Sequence, residues 1–182
     1  MQRTEAVVLA FYAAWLTMVL LAPFTLPPGS VRDLSGSVGP IDNPDQLARM
    51  NPFAALVYWI GDANCHQIAS RSYYLNGNEM PFCARDLGIF VGLVAGMALG
   101  TITQIKPRWY LVMLGFLPMV LDGGWQLVGD YESTNEVRLL TGILAGTAAS
   151  LLLHLLALRY GSKTPSGAKG GRDDLAERRP DS

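Results

Sequence analysis

Apolar residues in this chain gather in long unbroken runs rather than at the three- and four-residue spacing of an amphipathic helix. Ala6 to Leu26 carries no formal charge and is long enough to cross about 30 Å of hydrocarbon. Leu87 to Ile105 is also uncharged, Trp109 to Val128 contains only Asp122, and Leu139 to Leu158 contains only His154. Four transmembrane helices are therefore predicted. A secretory leader competes for the first run. Its apolar core would be unusually long, and only Pro23, Pro27 and Pro28 follow in place of a small-x-small cleavage site, so a retained helix is expected. Met50 to Gly61 is apolar but too short to span, and reads as an interfacial or re-entrant helix with Tyr58 and Trp59 at the headgroup level. Pro27 to Pro44 reads as loop. The predicted fold is all-α: a polytopic membrane bundle of about four transmembrane helices plus that short helix. A membrane-embedded domain occupies 1–160, and a disordered cytoplasmic tail 161–182, because Lys163 to Ser182 is too polar to offset the cost of ordering.

Composition agrees. Half of the 182 residues are hydrophobic and only 16% are charged, against roughly 25% in soluble domains. The lipid bilayer is the first expected partner. The net charge of −1, with no basic stripe to track phosphates, excludes a nucleic-acid partner. Lys106 and Arg108, and Arg159, Lys163, Lys169 and Arg172 after the last run, belong in the cytoplasm by the positive-inside rule, whereas Asp130, Glu132 and Glu136 suit the opposite side. Both termini are then cytoplasmic, and Cys65, His66 and Cys83 lie outside, where disulfides persist.

Three constellations carry the chemistry. Gly88, Gly92, Gly96 and Gly100 share one face of the second span, and Gly142, Gly146 and Ser150 repeat the pattern in the fourth. Small faces let backbones approach, so these spans should pack tightly, within the chain or between protomers of a homo-oligomer or membrane complex. The second constellation is Cys65, His66, Gln67, Arg71, Cys83, Arg85 and Asp86. Cys65, His66, Cys83 and Asp86 are competent zinc ligands, although the neighbours Cys65 and His66 can both ligate only if the backbone turns between them. A Cys65–Cys83 disulfide, worth about 3 kcal/mol on a chain-entropy model, is one alternative, and a pair of free thiols is the other. Arg71 and Arg85 could equally anchor helix ends to headgroups, and Asp86 could complement a helix N-terminus.

The third constellation runs from Asp122 to Arg138. Asp122 stands about 20 Å from the inner end of its span at about 1.5 Å per residue, and an intramembrane carboxylate marks a functional site by default. Gln126 shares its face, and Pro118 and Gly123-Gly124 can break the helix there. Ser133-x-x-Glu136 reads as a capping box. Glu132, Asn135 and Arg138 remain, with Asn135, Arg138 and Thr141 on one face and Arg138 the natural partner of Asp122 or Asp86. His154 is expected to be satisfied or snorkelling near a helix C-terminus. No Walker A, G-x-S-x-G, H-E-x-x-H or dinucleotide fingerprint occurs.

The combination C-H-Q-x-x-x-R-S, P-F-C-A-R-D-L-G-I-F-x-G, D-G-x-x-Q and E-S-T-N-E-V-R-x-x-T-G resembles a family of small membrane proteins known as domain of unknown function 2085. The resemblance covers about Tyr58 to Gly146 and implies no established activity. Relatives typically read C-A-R-C where this chain has Cys83-Ala-Arg-Asp86. That third ligand is thus harder here, and metal binding weaker.

These residues are expected to converge at the extracytoplasmic face. With no complete catalytic constellation, a structural or accessory subunit of a membrane assembly is the leading reading. The alternative is a metal-assisted enzyme or binding protein for a lipid-linked or anionic envelope substrate. In it Asp122 and His66 supply acid–base chemistry, Arg71, Arg85, Gln126, Glu132, Asn135 and Arg138 bind substrate or anion, and zinc sits at Cys65, His66, Cys83 and Asp86. A proton or ion pathway rests on a single intramembrane acid and has the thinnest support.

Overall fold

Among the described residues, four helices are long and apolar enough to cross a membrane: Thr4–Thr25, Ala84–Thr103, Trp109–Val128 and Asn135–Leu158. They belong to a computed structural model that describes residues 3–34, 36–103, 106, 108–129 and 131–161. Beyond Gly161 the expected tail lies outside the described residues. In chain order, α1 (Arg3–Leu21) continues into a 3-10 turn (Ala22–Thr25), followed by α2 (Pro44–Leu47) and α3 (Pro52–Asn64). A hairpin of β1 (Ser72–Leu75) and β2 (Asn78–Cys83) leads into α4 (Ala84–Thr103). The third span is α5 (Trp109–Leu114) plus α6 (Leu117–Val128), and α7 is Asn135–Gly161.

The glycine faces meet inside the chain. A β-carbon on Gly88 or Gly92 would collide with the carbonyl oxygens of Leu139 and Ile143 on α7. On Gly142 and Gly146 it would collide with those of Arg85 and Ile89 on α4. Ser150 adds an interhelical bond, its hydroxyl donating to the Leu93 carbonyl at 2.8 Å. Of the two uses expected for these faces, packing within one chain is the one observed, and the small residues are buried by it. Gly100 faces the ring of His154, which is buried and lies 2.9 Å from Glu5 of α1 (Nδ1 to Oε1). The histidine is therefore buried inside the bundle beside a carboxylate rather than snorkelling.

Where α4 and α7 begin, a cap covers the bundle. Val19, Leu26, Val31, Leu34, Tyr58, Met80 and Phe82 form its core, and Trp15 of α1 packs edge-on to Phe82 and Phe90 with centroids 5.9 and 6.0 Å apart. The irregular loop after α1 is held by β2 side chains. Asn78 accepts from the Val31 amide (3.0 Å) and donates to the Pro23 carbonyl (2.9 Å), while Glu79 accepts from the Leu34 amide (3.1 Å). These bonds satisfy backbone groups that the loop cannot pair for itself. Burial pushes the Glu79 carboxyl above its usual value.

Several expectations are corrected. The hairpin was not anticipated in an all-α fold, although the chain remains mainly helical. Its turn is Asn76-Gly77, both at positive φ (54° and 72°), the pair that a two-residue primed turn demands. Tyr58 does not present its ring to the surroundings. It is fully buried, its hydroxyl donating to the Glu79 carbonyl at 2.6 Å, and only Trp59 is exposed. The third span breaks at Gly115–Phe116, not at Gly123-Gly124, which lie within α6. Pro118, in the first turn of α6, has no N–H for the turn before it, and its ring clashes there. The cap of α7 is Thr134, whose hydroxyl accepts from the Val137 amide at 3.4 Å, and Ser133 is buried instead.

Candidate functional site

Cys65 ends α3 in an extended conformation (φ −135°, ψ 145°), and successive side chains of an extended backbone point to opposite sides. Cys65 is accordingly buried and His66 exposed. Gln67, at positive φ (45°), turns the chain back and donates to the Pro81 carbonyl of β2 at 2.8 Å. This clasp sets Cys65 beside the end of β2, where Cys83 precedes the first turn of α4. The Cys83 thiol donates to Asp86 at 3.3 Å. Ligand atoms of Cys65, Cys83 and Asp86 all lie within 4.8 Å of one another, and both cysteines are free thiols. The hydrogen bond shared by the thiols, followed by burial, pushes Cys65 up. The same bond holds Cys83 below its usual value, so Cys83 ionises first. His66 lies outside this cluster, for the backbone reason just given.

The first turns of α4 and α7 and the 3-10 turn Ala69–Arg71 before β1 bring the arginines together. Arg85 pairs with Asp122 at 2.5 Å (Nη2 to Oδ2), and the Tyr131 hydroxyl reaches the other carboxylate oxygen at 3.5 Å. Arg138 is 3% exposed, a depth at which an unpaired guanidinium would be costly. It donates to Asn135 Oδ1 at 3.2 Å and lies 3.7 Å from Glu132. Arg71 reaches the same Glu132 oxygen at 3.4 Å. With its amide oxygen turned toward them, Gln126 accepts from Arg138 and Arg71 at 3.0 and 3.1 Å. Arg138 is thus partnered by Gln126, Asn135 and Glu132. The expected pairing of Asp122 goes to Arg85, at the start of α4.

Between these two groups lies a cavity of about 110 Å³, lined by Arg71, Arg85 and Arg138, by His66, and by Cys65 and Cys83. Asp122 borders a separate apolar groove with Trp125 and Tyr131. Asp122 and His66 are therefore not brought together on one cavity. Tyr131, which completes the Asp122 pair, escaped sequence reading. So did Glu5, whose signal was its place at the same end of the bundle as His154 in an up-and-down topology.

The comparisons with known proteins fall on this region. A family profile described as "Predicted membrane protein (DUF2085)" matches residues 65–152, which begin at the first thiol and include every residue that lines the cavity. An uncharacterized protein of Methanocaldococcus jannaschii is 38% identical over 96 residues, covering 50% of this chain and 61% of its own length. An uncharacterized protein of Methanothermobacter thermautotrophicus is 32% identical over 95 residues, covering 50% of this chain and 86% of its own. The chain thus matches less than two thirds of the first relative and most of the second. No solved structure matches. With four membrane-length helices and a match that spans its whole polar site, the chain belongs to the DUF2085 family of predicted membrane proteins.

Proposed function

We propose that this integral membrane protein binds a small oxyanion, or the anionic head group of a lipid-linked molecule, in the cavity between Arg71, Arg85 and Arg138. The observation that carries the reading is the sign of the charge on the wall. Among the described residues, all three fixed charges lining the cavity are cationic, and their acidic partners Asp122 and Glu132 are not part of the lining. The buried Arg85 Nε–H has no partner among the described residues and remains a donor in reserve. Planar guanidinium forks match the oxygens of phosphate or carboxylate. At about 110 Å³ the cavity is well under the roughly 300 Å³ of sites that take drug-sized ligands. It suits a charged head group rather than a whole organic substrate.

The test is titration of detergent-purified, full-length protein with inorganic phosphate, and separately its reconstitution into neutral or anionic-lipid nanodiscs. Removing one charged hydrogen-bond donor costs about 1.5–3 kcal/mol. Arg138→Gln should therefore weaken phosphate binding roughly ten- to hundredfold, and the more exposed Arg71→Gln should weaken it with less effect on folding. Saturation by phosphate identifies a soluble ligand. Thermal stabilisation by anionic lipid alone identifies a head group. Neither response in the wild type ends the proposal.

A second reading, an accessory subunit whose polar cluster is an internal brace, is favoured by the Arg85–Asp122 pair that ties α4 to α6. Glu132→Gln separates the two. Glu132 is largely exposed and competes for Arg71 and Arg138. Its neutralisation should strengthen phosphate binding several-fold if the arginines serve a ligand, and should only lower the melting temperature if they serve a brace.

We also infer that the cavity faces away from the cytoplasm. Lys106 and Arg108 follow the far end of α4, opposite the cap, and the positive-inside rule assigns that end to the cytoplasm. In intact cells a membrane-impermeant maleimide should then label a cysteine introduced at Ser70, in a variant lacking Cys65 and Cys83, and should not label one introduced at Arg108. The reverse pattern would invert the assignment.

A further inference from the structure

The two thiols on the cavity wall are not accounted for by anion binding. We propose that Cys65, Cys83 and Asp86 form a three-ligand site for a thiophilic divalent cation of the zinc class, with its open coordination position turned to the arginine-lined cavity. The inference rests on the anion-site reading only for what occupies that open position.

The donor set fits such an ion. Zinc binds thiolate at about 2.3 Å in tetrahedral geometry, which places neighbouring donors roughly 3.8 Å apart. The three donor atoms here already lie within 4.8 Å of one another, and Cys83 Sγ is 3.3 Å from Asp86 Oδ2. They come from three separately anchored places. Cys65 is set by the end of α3 and the Gln67 clasp, Cys83 by the end of β2, and Asp86 by the first turn of α4. A disulfide would use two of these groups, whereas a cation uses all three. Three protein ligands with one open position are the pattern of zinc sites that take an exogenous ligand rather than of closed structural ones.

Charge also fits. Two thiolates and one carboxylate around a divalent cation leave one net negative charge. Arg71, Arg85 and Arg138 on the same cavity offset it and still favour an incoming anion. His66 stays out of the set because the extended backbone at Cys65 directs it to the surface. In the cavity an oxyanion would meet the cation on one side and the guanidiniums on the other, a division of labour that neither group achieves alone.

The experiment is metal loading of full-length protein in detergent, stripped with a chelator and titrated with Zn2+ or Co2+ alone. One equivalent should bind, and the cobalt form should show thiolate charge-transfer absorption with the intense visible bands of four-coordination. Cys65→Ser and Cys83→Ser keep the side-chain size, and each should weaken binding at least a hundredfold and remove the charge-transfer band. Asp86→Asn should weaken binding about tenfold and leave the band. Phosphate added to the cobalt form should shift the visible bands.

The outcomes separate the two readings. Cobalt bound with no phosphate response, and no phosphate binding by titration, would leave the metal site standing and end the anion reading. Phosphate bound equally by wild type and Cys83→Ser, with no metal retained by either, would do the reverse. Thiols that react with maleimide only after reduction, in protein that takes up no metal, would assign the pair to a disulfide and overturn the metal site. Circular dichroism and gel filtration of the serine variants guard against a loss that merely reports misfolding.

Discussion

Gly146→Val should deprive the protein of its folded bundle. A β-carbon at this position meets the backbone of Ile89 on α4, which has no rotamer by which to move aside. Relief would need α4 and α7 to separate along their whole contact, which would also open the Gly92–Ile143 and Gly142–Arg85 approaches. Overpacking costs about 1–3 kcal/mol where side chains can adjust, and more where they cannot. Against total stabilities of about 5–15 kcal/mol that loss would be large. The expected result is aggregation on extraction, or a melting temperature well below wild type in the same detergent. Gly124→Val is the control, since nothing lies within 4 Å of its β-carbon position on the exposed face of α6. Equal behaviour of the two variants would show that the zipper does not hold these helices together.

Arg85→Met should cost several-fold more stability than an exposed charge deletion, and a second change, Asp122→Leu, should restore most of it. The Asp122 side chain is 5% exposed and that of Arg85 25%. Removing one partner of a buried pair costs about 3–5 kcal/mol, because the other is left charged and desolvated. The partial exposure of Arg85 places this pair at the lower end of that range. Replacing both partners by apolar groups removes the penalty along with the attraction, so the double variant should lie near wild type in stability. A double-mutant cycle by thermal unfolding measures the coupling, with surface pairs at about 0.2–1 kcal/mol as the reference. Strict additivity would mean that the two groups do not see each other. The double variant also serves function, because it removes one cavity cation without leaving a naked carboxylate. Phosphate affinity should fall in it even where stability does not.

The spans were legible because charge is costly in hydrocarbon. Runs such as Leu87 to Ile105 announce a membrane helix by composition alone, and the structure moves their ends by only a few residues. The four-residue glycine spacing was legible for the same kind of reason, since a helix repeats its faces at fixed intervals. The hairpin was legible in principle through Asn76-Gly77, but it is a twelve-residue signal between two helices in a mainly helical chain. The break before Pro118 was visible as a proline, and its position was not, because several residues around it could take up the bend. Pairings fared worse. Arg138 and Asp122 are sixteen positions apart and looked matched, yet the partner of Asp122 is Arg85, thirty-seven positions away.

The sequence by itself determined that this is a four-span membrane protein with its polar chemistry gathered near Cys65, Cys83 and the starts of the second and fourth spans, because lipid excludes charge and backbone periodicity orders the faces. Only the tertiary structure decided which cations share a wall with the thiols, that His66 turns outward, and that Glu5 meets His154. Those facts depend on the rotation of each helix about its axis and on one extended residue at the end of α3. Both are settled by packing against distant segments, and no local pattern of residues encodes them.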